Sequence, residues 1–185
     1  TTITASGEAA AMLNWDETDS ATGTDHISTG PLTAVGGVSL SCWVKSMGSN
    51  PPNYHDFMIG RGGRDGLGLW NGNTQLAWGL VIDGGDATRI YASSAFPDDD
   101  SWVHMVGTWD PTDTGNELKL YVSGSLLVSG AAANGTLTYD ASNWLIGGDG
   151  DSGRYMHGSI ADVRIFSGSA LSAANVATLY NNNIN

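Results

Sequence analysis

The chain has 185 residues, a mass of 19.2 kDa and a formal net charge of −12 at pH 7. This length suits one buried core, so we predict a single domain over residues 1–185, in which residues 1–12 are a candidate docking arm. So large a negative charge repels nucleic acid and anionic membranes, and we expect neither as a partner. Seven tryptophans and 26 glycines are typical of an all-β fold with many tight turns.

Alternating apolar and polar residues, interrupted by Gly, Asn, Asp and Pro, predict strands along the whole chain. One cysteine cannot form an internal disulfide, and Cys42 shares a strand face with Val38, Leu40 and Val44, which predicts a buried thiol. In chain order we predict strands at residues 9–13, 26–28, 38–45, 56–60, 67–70, 75–82, 88–92, 102–109, 118–122, 126–130, 137–139, 144–146 and 158–166.

The segment 102–122 predicts an antiparallel hairpin around which the other strands are arranged. Residues 110–116 are dense in turn formers, and residues 118–122 alternate again. One face of the first strand is formed by Trp102, His104, Val106 and Thr108. Because both faces carry large side chains, we expect this hairpin to lie within a two-sheet antiparallel sandwich.

A short helix is predicted at the C-terminal end, over residues 172–182. Ser172 is suited to cap its first turn through the side-chain hydroxyl. Val176, Leu179 and Tyr180 form an apolar stripe at the spacing of one helix face.

Several of these segments carry a family likeness. They are Val38-Ser-Leu-Ser-Cys-Trp-Val44, Trp102-Val-His-Met-Val-Gly-Thr-Trp-Asp110, Leu118-Lys-Leu-Tyr-Val-Ser-Gly124, Gly158-Ser-Ile-Ala-Asp-Val-Arg-Ile-Phe166 and the segment 170–180. As an ordered set they resemble the laminin G-like domains of the concanavalin A-like lectin/glucanase superfamily. The resemblance runs from Leu13 to Tyr180 and implies a jelly roll of two curved antiparallel sheets. Lectins, glycosidases, adhesion modules and inert spacers all share this fold, so function has to be argued from the site.

The carboxylates predict that the domain is not an enzyme. Retaining glycosidases of this fold carry an E-x-D-x-x-E run, because an acid and a nucleophile must flank one glycosidic bond. Glu17-Thr-Asp19 begins such a run without a second glutamate, and glutamate occurs only at positions 8, 17 and 117. We therefore expect no catalytic residues.

One structural Ca²⁺ is the cofactor that the sequence favours. Calcium takes about six to eight oxygen ligands, which loops rich in aspartate can supply. The opening loop offers Asp16, Asp19 and Asp25, and the resemblance implies that Asp162 of the closing strand lies nearby. The alternatives are the acidic segments Asp98-Asp-Asp100 and Asp149-Gly-Asp151. The four histidines lack a zinc-ligand spacing, and His104 is predicted to be a structural histidine bonded across the sheet.

Glycan binding requires aromatic faces for stacking, with amides or Arg beside them for the hydroxyl groups. We expect Trp70 and Tyr155 to be the best exposed of the candidates. The core is expected to hold the other large indoles, Trp43, Trp102, Trp109 and Trp144. The candidate ligand-binding residues are Trp70, Asn71, Asn73, Tyr54, Trp78, Arg154 and Tyr155.

These features favour a non-catalytic, lectin-like recognition or adhesion module. We expect it on the surface of a larger assembly such as a virion, or otherwise outside the cell, with a glycan or a protein surface as partner. The alternative is a carbohydrate-binding module detached from a secreted polysaccharide-degrading enzyme. Association of identical copies is compatible with either interpretation. The sequence has no run of about 18 apolar residues, so we expect no membrane insertion.

Overall fold

A computed structural model describes residues 13–14, 26–30, 36–46, 55–62, 65–70, 74–82, 88–93, 96, 101–132, 137, 143–150, 155–156 and 158–182. These residues form twelve strands and one helix. The elements are β1 (Leu13–Asn14), β2 (Ile27–Gly30), β3 (Gly37–Ser46), β4 (Asp56–Arg61), β5 (Asp65–Trp70), β6 (Gln75–Leu80), β7 (Thr88–Ala92), β8 (Val103–Trp109), β9 (Leu118–Val122), β10 (Ser125–Gly130), β11 (Trp144–Ile146), β12 (Gly158–Gly168) and α1 (Ala173–Asn182).

The strands form two antiparallel sheets, which confirms the predicted sandwich. Sheet A has the strand order β1-β12-β3-β8-β9-β10, and sheet B has the order β2-β11-β4-β5-β6-β7. The predicted central hairpin is β8–β9, which pairs Met105 with Val122 and Trp109 with Leu118. None of the helices formed by the described residues is long and apolar enough to cross a bilayer.

The core lies between the two sheets and contains Cys42, as predicted. Trp78 of sheet B joins the sheets, because its indole Nε1 donates a hydrogen bond to the Thr108 carbonyl of sheet A at 2.9 Å. The ring packs on Gly107, where a Cβ would lie only 2.4 Å from Trp78 Cδ2. A residue without a side chain is therefore needed at position 107 for the two sheets to approach.

A buried ion pair lies at the end of the β4–β5 hairpin. Arg61 Nε donates to Asp65 Oδ2 at 2.8 Å, and the backbone N–H of Val81 donates to the other carboxylate oxygen. The Arg61 guanidinium also lies 5.3 Å from the ring centroid of Trp144. Arg61 and Asp65 are each only 2% exposed, so their charges compensate one another out of contact with water.

Helix α1 covers the outer face of sheet A. Ser172 Oγ accepts a hydrogen bond from the Asn175 backbone N–H at 3.2 Å, which confirms the predicted N-cap. Val176 is fully buried in a small cluster with Val106 and Tyr121. The helix thus packs through the apolar stripe that its sequence predicts.

Trp102 is a correction to the predicted core. Trp109 and Trp144 are buried in the core as expected, whereas Trp102 is 37% exposed. It precedes β8, where Val103 faces the core, so alternation directs Trp102 to the outer face of sheet A. There the Lys45 ammonium lies 6.0 Å from its ring centroid. Because this strand carries large residues on both faces, the sequence alone does not show which face is buried.

Trp43 is a second correction to the predicted core. It is half-buried and lies outside the core, because its neighbours Cys42 and Val44 face inward. Its ring packs on His104 and Tyr180 instead.

The first and eleventh predicted strands are described only in part. Of the segment 9–13, Leu13 lies in β1, where it pairs with Ile160 of β12, and residues 9–12 lie outside the described residues. Of the segment 137–139, Leu137 forms an isolated bridge to Ile82, and residues 138–139 also lie outside them.

Candidate functional site

The outward-facing side chains of sheet B form the best candidate site among the described residues. Leu69 and Ile90 point into the core, so their neighbours in β5 and β7 point outward. Trp70 pairs with Gln75 of β6 on one side. On its other side lies His55, the residue that comes just before β4. We call this surface the Trp70 face and define it as His55, Trp70, Gln75, Arg89 and Tyr91.

Trp70 lies at the centre of this face. The His55 ring stacks on it with the centroids 3.6 Å apart, and the Tyr91 ring meets it edge-on at 5.9 Å. Arg89 Cζ lies 5.0 Å from the Trp70 ring centroid. Tyr91 is 41% exposed, whereas the other four residues are half-buried. The face therefore combines one exposed aromatic ring, that of Tyr91, with a cation that packs on Trp70 and with Gln75 on the neighbouring strand.

Small residues in the middle of sheet B explain how these side chains reach Trp70. Gly79 lies opposite Arg89 in the β6–β7 register, and a Cβ there would lie 2.3 Å from Arg89 Cγ. A Cβ on Gly66 would similarly lie 2.6 Å from Phe57 Cδ1. The glycines leave room for the longer side chains to lie across the sheet. The Arg89 guanidinium of β7 thereby extends across β6 to the Trp70 ring of β5.

The structure distributes the predicted ligand-binding residues unequally. Trp70 lies in the face, at the end of a strand rather than in a loop. Tyr155 is half-buried and bridges Gly148 beyond β11, which β4 separates from β5. The remaining polar and aromatic candidates, Tyr54, Asn71, Asn73 and Arg154, lie outside the described residues.

Trp78 is a correction: it is a core residue with no exposed surface, so its ring cannot stack on a ligand. It follows Ala77, which faces outward opposite Tyr91, so the alternation of β6 sends Trp78 inward. Sequence reasoning missed the other four residues of the face, His55, Gln75, Arg89 and Tyr91. The alternation of β7 would have put Arg89 and Tyr91 on one face, but not beside Trp70.

The predicted calcium site is only partly described. Asp16, Asp19 and Asp25 lie outside the described residues, and the calcium site stays a prediction. Asp162 lies at a bulge of β12 in the left-handed conformation, with φ of 46°, and its Oδ1 accepts a hydrogen bond from Arg164 Nε at 2.8 Å. Within the described part of the chain, no group of three or more His, Cys, Asp or Glu residues is arranged to hold a metal ion.

Glu117 is a structural carboxylate. It is 3% exposed, and its two oxygens accept hydrogen bonds from the backbone N–H groups of Gly115 and Ala132, each at 3.0 Å. Hydrogen bonds from its own backbone N–H and from those of Gly115 and Ala132 hold its pKa below the usual range. A carboxylate so held is unsuited to donate a proton to a leaving group.

His104 is a buried structural histidine, as its place on the strand predicts. Its Nε2 lies 3.0 Å from Ser41 Oγ across the β3–β8 pair, and the side chain is 1% exposed. The Trp43 and Tyr180 rings pack on it, with centroids 5.2 Å and 6.0 Å away. Burial lowers its pKa to about 4, Asp162 opposes that shift, and Arg164 adds to it.

We expect His104 to make the fold less stable in mild acid. Its pKa is 6.5 when unfolded and about 4 when folded, so between these values the unfolded chain binds more protons. Neutral His104 contributes roughly 3 kcal/mol to the free energy of unfolding. This contribution is complete above pH 6.5 and is lost as the pH falls toward 4. Urea unfolding of the parent protein from pH 4.5 to 7 should show this slope, and His104→Gln should lack it. The exposed His26→Gln variant should keep it, and an unchanged slope in His104→Gln would contradict the assignment.

The two antiparallel sheets form a β-sandwich of the lectin/glucanase type. The chain belongs to the concanavalin A-like lectin/glucanases superfamily, whose laminin G-type family model matches residues 19–177. None of the curated protein sequences compared with the chain matches it.

Solved structures share the fold at low sequence identity. A heptameric SAP-like pentraxin from Limulus polyphemus has a TM-score of 0.65 and 15% identity, over 88% of this chain and 80% of its own. The binding domain of Paraclostridial Mosquitocidal Protein 1 has a TM-score of 0.65 and 16% identity, over 95% of this chain and 44% of its own. The CBM40 of a Ruminococcus gnavus IT-sialidase, bound to α2,3 sialyllactose, has a TM-score of 0.59 and 14% identity, over 85% of this chain and 97% of its own. The last two are binding domains rather than catalytic ones.

Proposed function

We propose that this chain is a non-catalytic, lectin-like recognition module that binds glycans through the Trp70 face. Support comes from the exposed Tyr91 ring and the Arg89 guanidinium, which both pack against Trp70, and from Gln75, which pairs with Trp70 on the neighbouring strand. An aromatic ring offers an apolar surface to the C–H groups of a sugar, and the polar side chains offer hydrogen bonds to its hydroxyls. The binding domains among the similar structures are consistent with this role.

The absence of catalysis is part of the same proposal. The sequence lacks the paired carboxylates of a retaining glycosidase, and Glu117 is held by backbone N–H groups. Recognition alone requires only a surface that is complementary to the ligand.

A second candidate is a surface-displayed component of a larger assembly, such as a virion, with a protein partner. It is favoured by Leu126 and Leu127, which are 52% and 42% exposed on β10, the edge strand of sheet A. Exposed apolar residues at a sheet edge are typical of a contact surface.

The alternative of a carbohydrate-binding module from a secreted enzyme uses the Trp70 face in the same way. All three place the domain outside the cell or on a particle surface.

Tyr91→Ala is expected to weaken glycan binding about tenfold without loss of stability, because it removes the open ring of the face. A glycan array, run with calcium and with chelator, would identify a ligand, and titration calorimetry would compare the variants. Trp102→Ala is the matched control, since Trp102 is 37% exposed on the opposite sheet. It should bind like the parent protein.

Two results would contradict the glycan proposal. One is that folded protein binds no glycan on the array, which would favour the assembly component with a protein partner. The other is binding that Trp102→Ala weakens and Tyr91→Ala leaves intact, which would move the site to sheet A. Capture that requires calcium would support the metal expected at Asp16, Asp19 and Asp25.

A further inference from the structure

We infer that this chain forms a two-fold dimer through a charge-free surface at the edge of sheet A, where Leu126 and Leu127 lie beside helix α1. We call it the β10–α1 surface and define it as β10, residues 123–124 and α1. The partner is a second copy of the chain. The inference goes beyond the proposed glycan binding and does not depend on it, because the Trp70 face lies on the other sheet.

A β-bulge explains why two consecutive leucines of β10 are exposed. Leu126 pairs with Tyr121 of β9, and Val128 pairs with the adjacent residue of β9, so Leu127 is the extra residue of the bulge. Val128 packs against the core, whereas Leu126 and Leu127 are 52% and 42% exposed. In a regular strand, one of two consecutive side chains would point inward. The bulge therefore leaves both leucines at the surface.

The exposed Leu126 continues an apolar cluster that helix α1 covers. Cross-strand partners project from the same face of a sheet, so Leu126 lies with Tyr121 on the outer face of sheet A. Tyr121 is buried there in a cluster with Val176 of α1. At the β9–β10 turn, Tyr180 of α1 packs on Gly124, where a Cβ would lie 3.0 Å from Tyr180 Cδ1. The leucines and the helix therefore form one continuous surface.

This surface carries no charged side chain, although the chain has a formal net charge of −12. Asp, Glu, Lys, Arg and His are absent from residues 120–139 and 165–185, which are the two longest such segments of the sequence. The first contains β10 and the second contains α1. Two copies of so acidic a chain repel one another, and the repulsion is weakest where neither presents a carboxylate. A basic partner would be attracted to the carboxylates elsewhere, so this charge distribution favours a second copy.

The side chains of the surface are also suited to meet their own kind. A two-fold axis places each surface against the identical surface of the other copy. Leucines pack on leucines, and the exposed Asn175 and Asn181 of α1 carry amides that both donate and accept hydrogen bonds. Because a bulge at a sheet edge disfavours pairing with another strand, the contact is made by side chains rather than by extension of sheet A.

The size of the surface indicates a weak, reversible dimer. The six residues of β10 span about 20 Å, and the ten residues of α1 span about 15 Å. These dimensions give less than the roughly 800 Å² that each partner buries in a standard interface. We therefore expect a dissociation constant on the order of 10 µM.

Sedimentation velocity of the parent protein between about 1 and 300 µM tests the dimer. The mass should rise with concentration from the 19.2 kDa of one chain toward twice that value. The double variant Leu126→Ser/Leu127→Ser should raise the dissociation constant about tenfold or more, because it removes the apolar contact. The matched control is Tyr91→Ala, since Tyr91 is 41% exposed on β7, the edge strand of sheet B. This control should dimerise like the parent, and near-UV circular dichroism would verify that each variant is folded.

Opposite charges at one position test whether the partner is a second copy. Leu127→Asp and Leu127→Lys should each be monomeric alone, because like charges then meet at the contact, whereas an equimolar mixture of the two should associate. A mixture that stays monomeric would overturn the two-fold arrangement.

Two further results would overturn the inference. One is a parent protein that stays monomeric at the highest concentration, which would leave the surface to a different protein partner. The other is a dimer that Tyr91→Ala weakens as much as the leucine variants do. Glycan binding is measured separately on the array, so the failure of one proposal leaves the other standing.

Discussion

Asp65→Ala is expected to lower the free energy of unfolding by about 3–5 kcal/mol. The variant leaves the Arg61 guanidinium in the interior without the carboxylate that compensates its charge. It also removes the acceptor of the Val81 backbone N–H. Both consequences destabilise the folded state and leave the unfolded chain nearly unaffected. Urea unfolding followed by tryptophan fluorescence would measure the change.

The control for Asp65 is an ion pair of the same type at the surface. Asp113 contacts Lys119, and their side chains are 38% and 26% exposed. Asp113→Ala should lower the free energy of unfolding by less than about 1 kcal/mol, because water solvates the Lys119 ammonium that remains. Equal losses in the two variants would show that burial is not what makes the Arg61–Asp65 pair important.

Trp78→Ala is the second large effect that we expect, also about 3–5 kcal/mol. The indole fills the space between the sheets above Gly107 and donates to the Thr108 carbonyl, so its loss leaves a cavity and removes a hydrogen bond between the sheets. Thermal and urea unfolding would measure the loss. Trp102→Ala, at an exposed position, should change stability by about 0.5 kcal/mol or less.

The same variant separates a core role for Trp78 from a ligand-binding role. Its folded fraction should bind glycan with the affinity of the parent protein. Trp78→Ala with unchanged stability and lost binding would restore Trp78 to the ligand site.

The arrangement of strands could be predicted because alternation is a local property of the sequence. The segments 88–92 and 118–122 are strands with the predicted bounds, and Ser172 caps the helix as its hydroxyl suggests. Alternation divides a strand into two faces but does not say which face is buried. Trp43, Trp78 and Trp102 were therefore assigned to the wrong side of their strands.

The candidate site was harder to predict because it is assembled across strands. Trp70 was found from its neighbours in the sequence, but Arg89 reaches it only because β6 lies between β5 and β7 and carries Gly79. Strand order and the space above a glycine are tertiary properties. His55 was likewise inconspicuous until the register of β4 and β5 brought it onto Trp70.

Gly79 also limits how the proposed recognition surface can change. Any larger residue there would collide with Arg89 Cγ and with the Thr88 carbonyl, which lies 2.6 Å from the position of a Cβ. A mutational library meant to alter specificity should therefore vary Gln75, Arg89 and Tyr91 and keep glycine at position 79. A change of ligand specificity is thus constrained by Gly79, although this residue presents no side chain to a ligand.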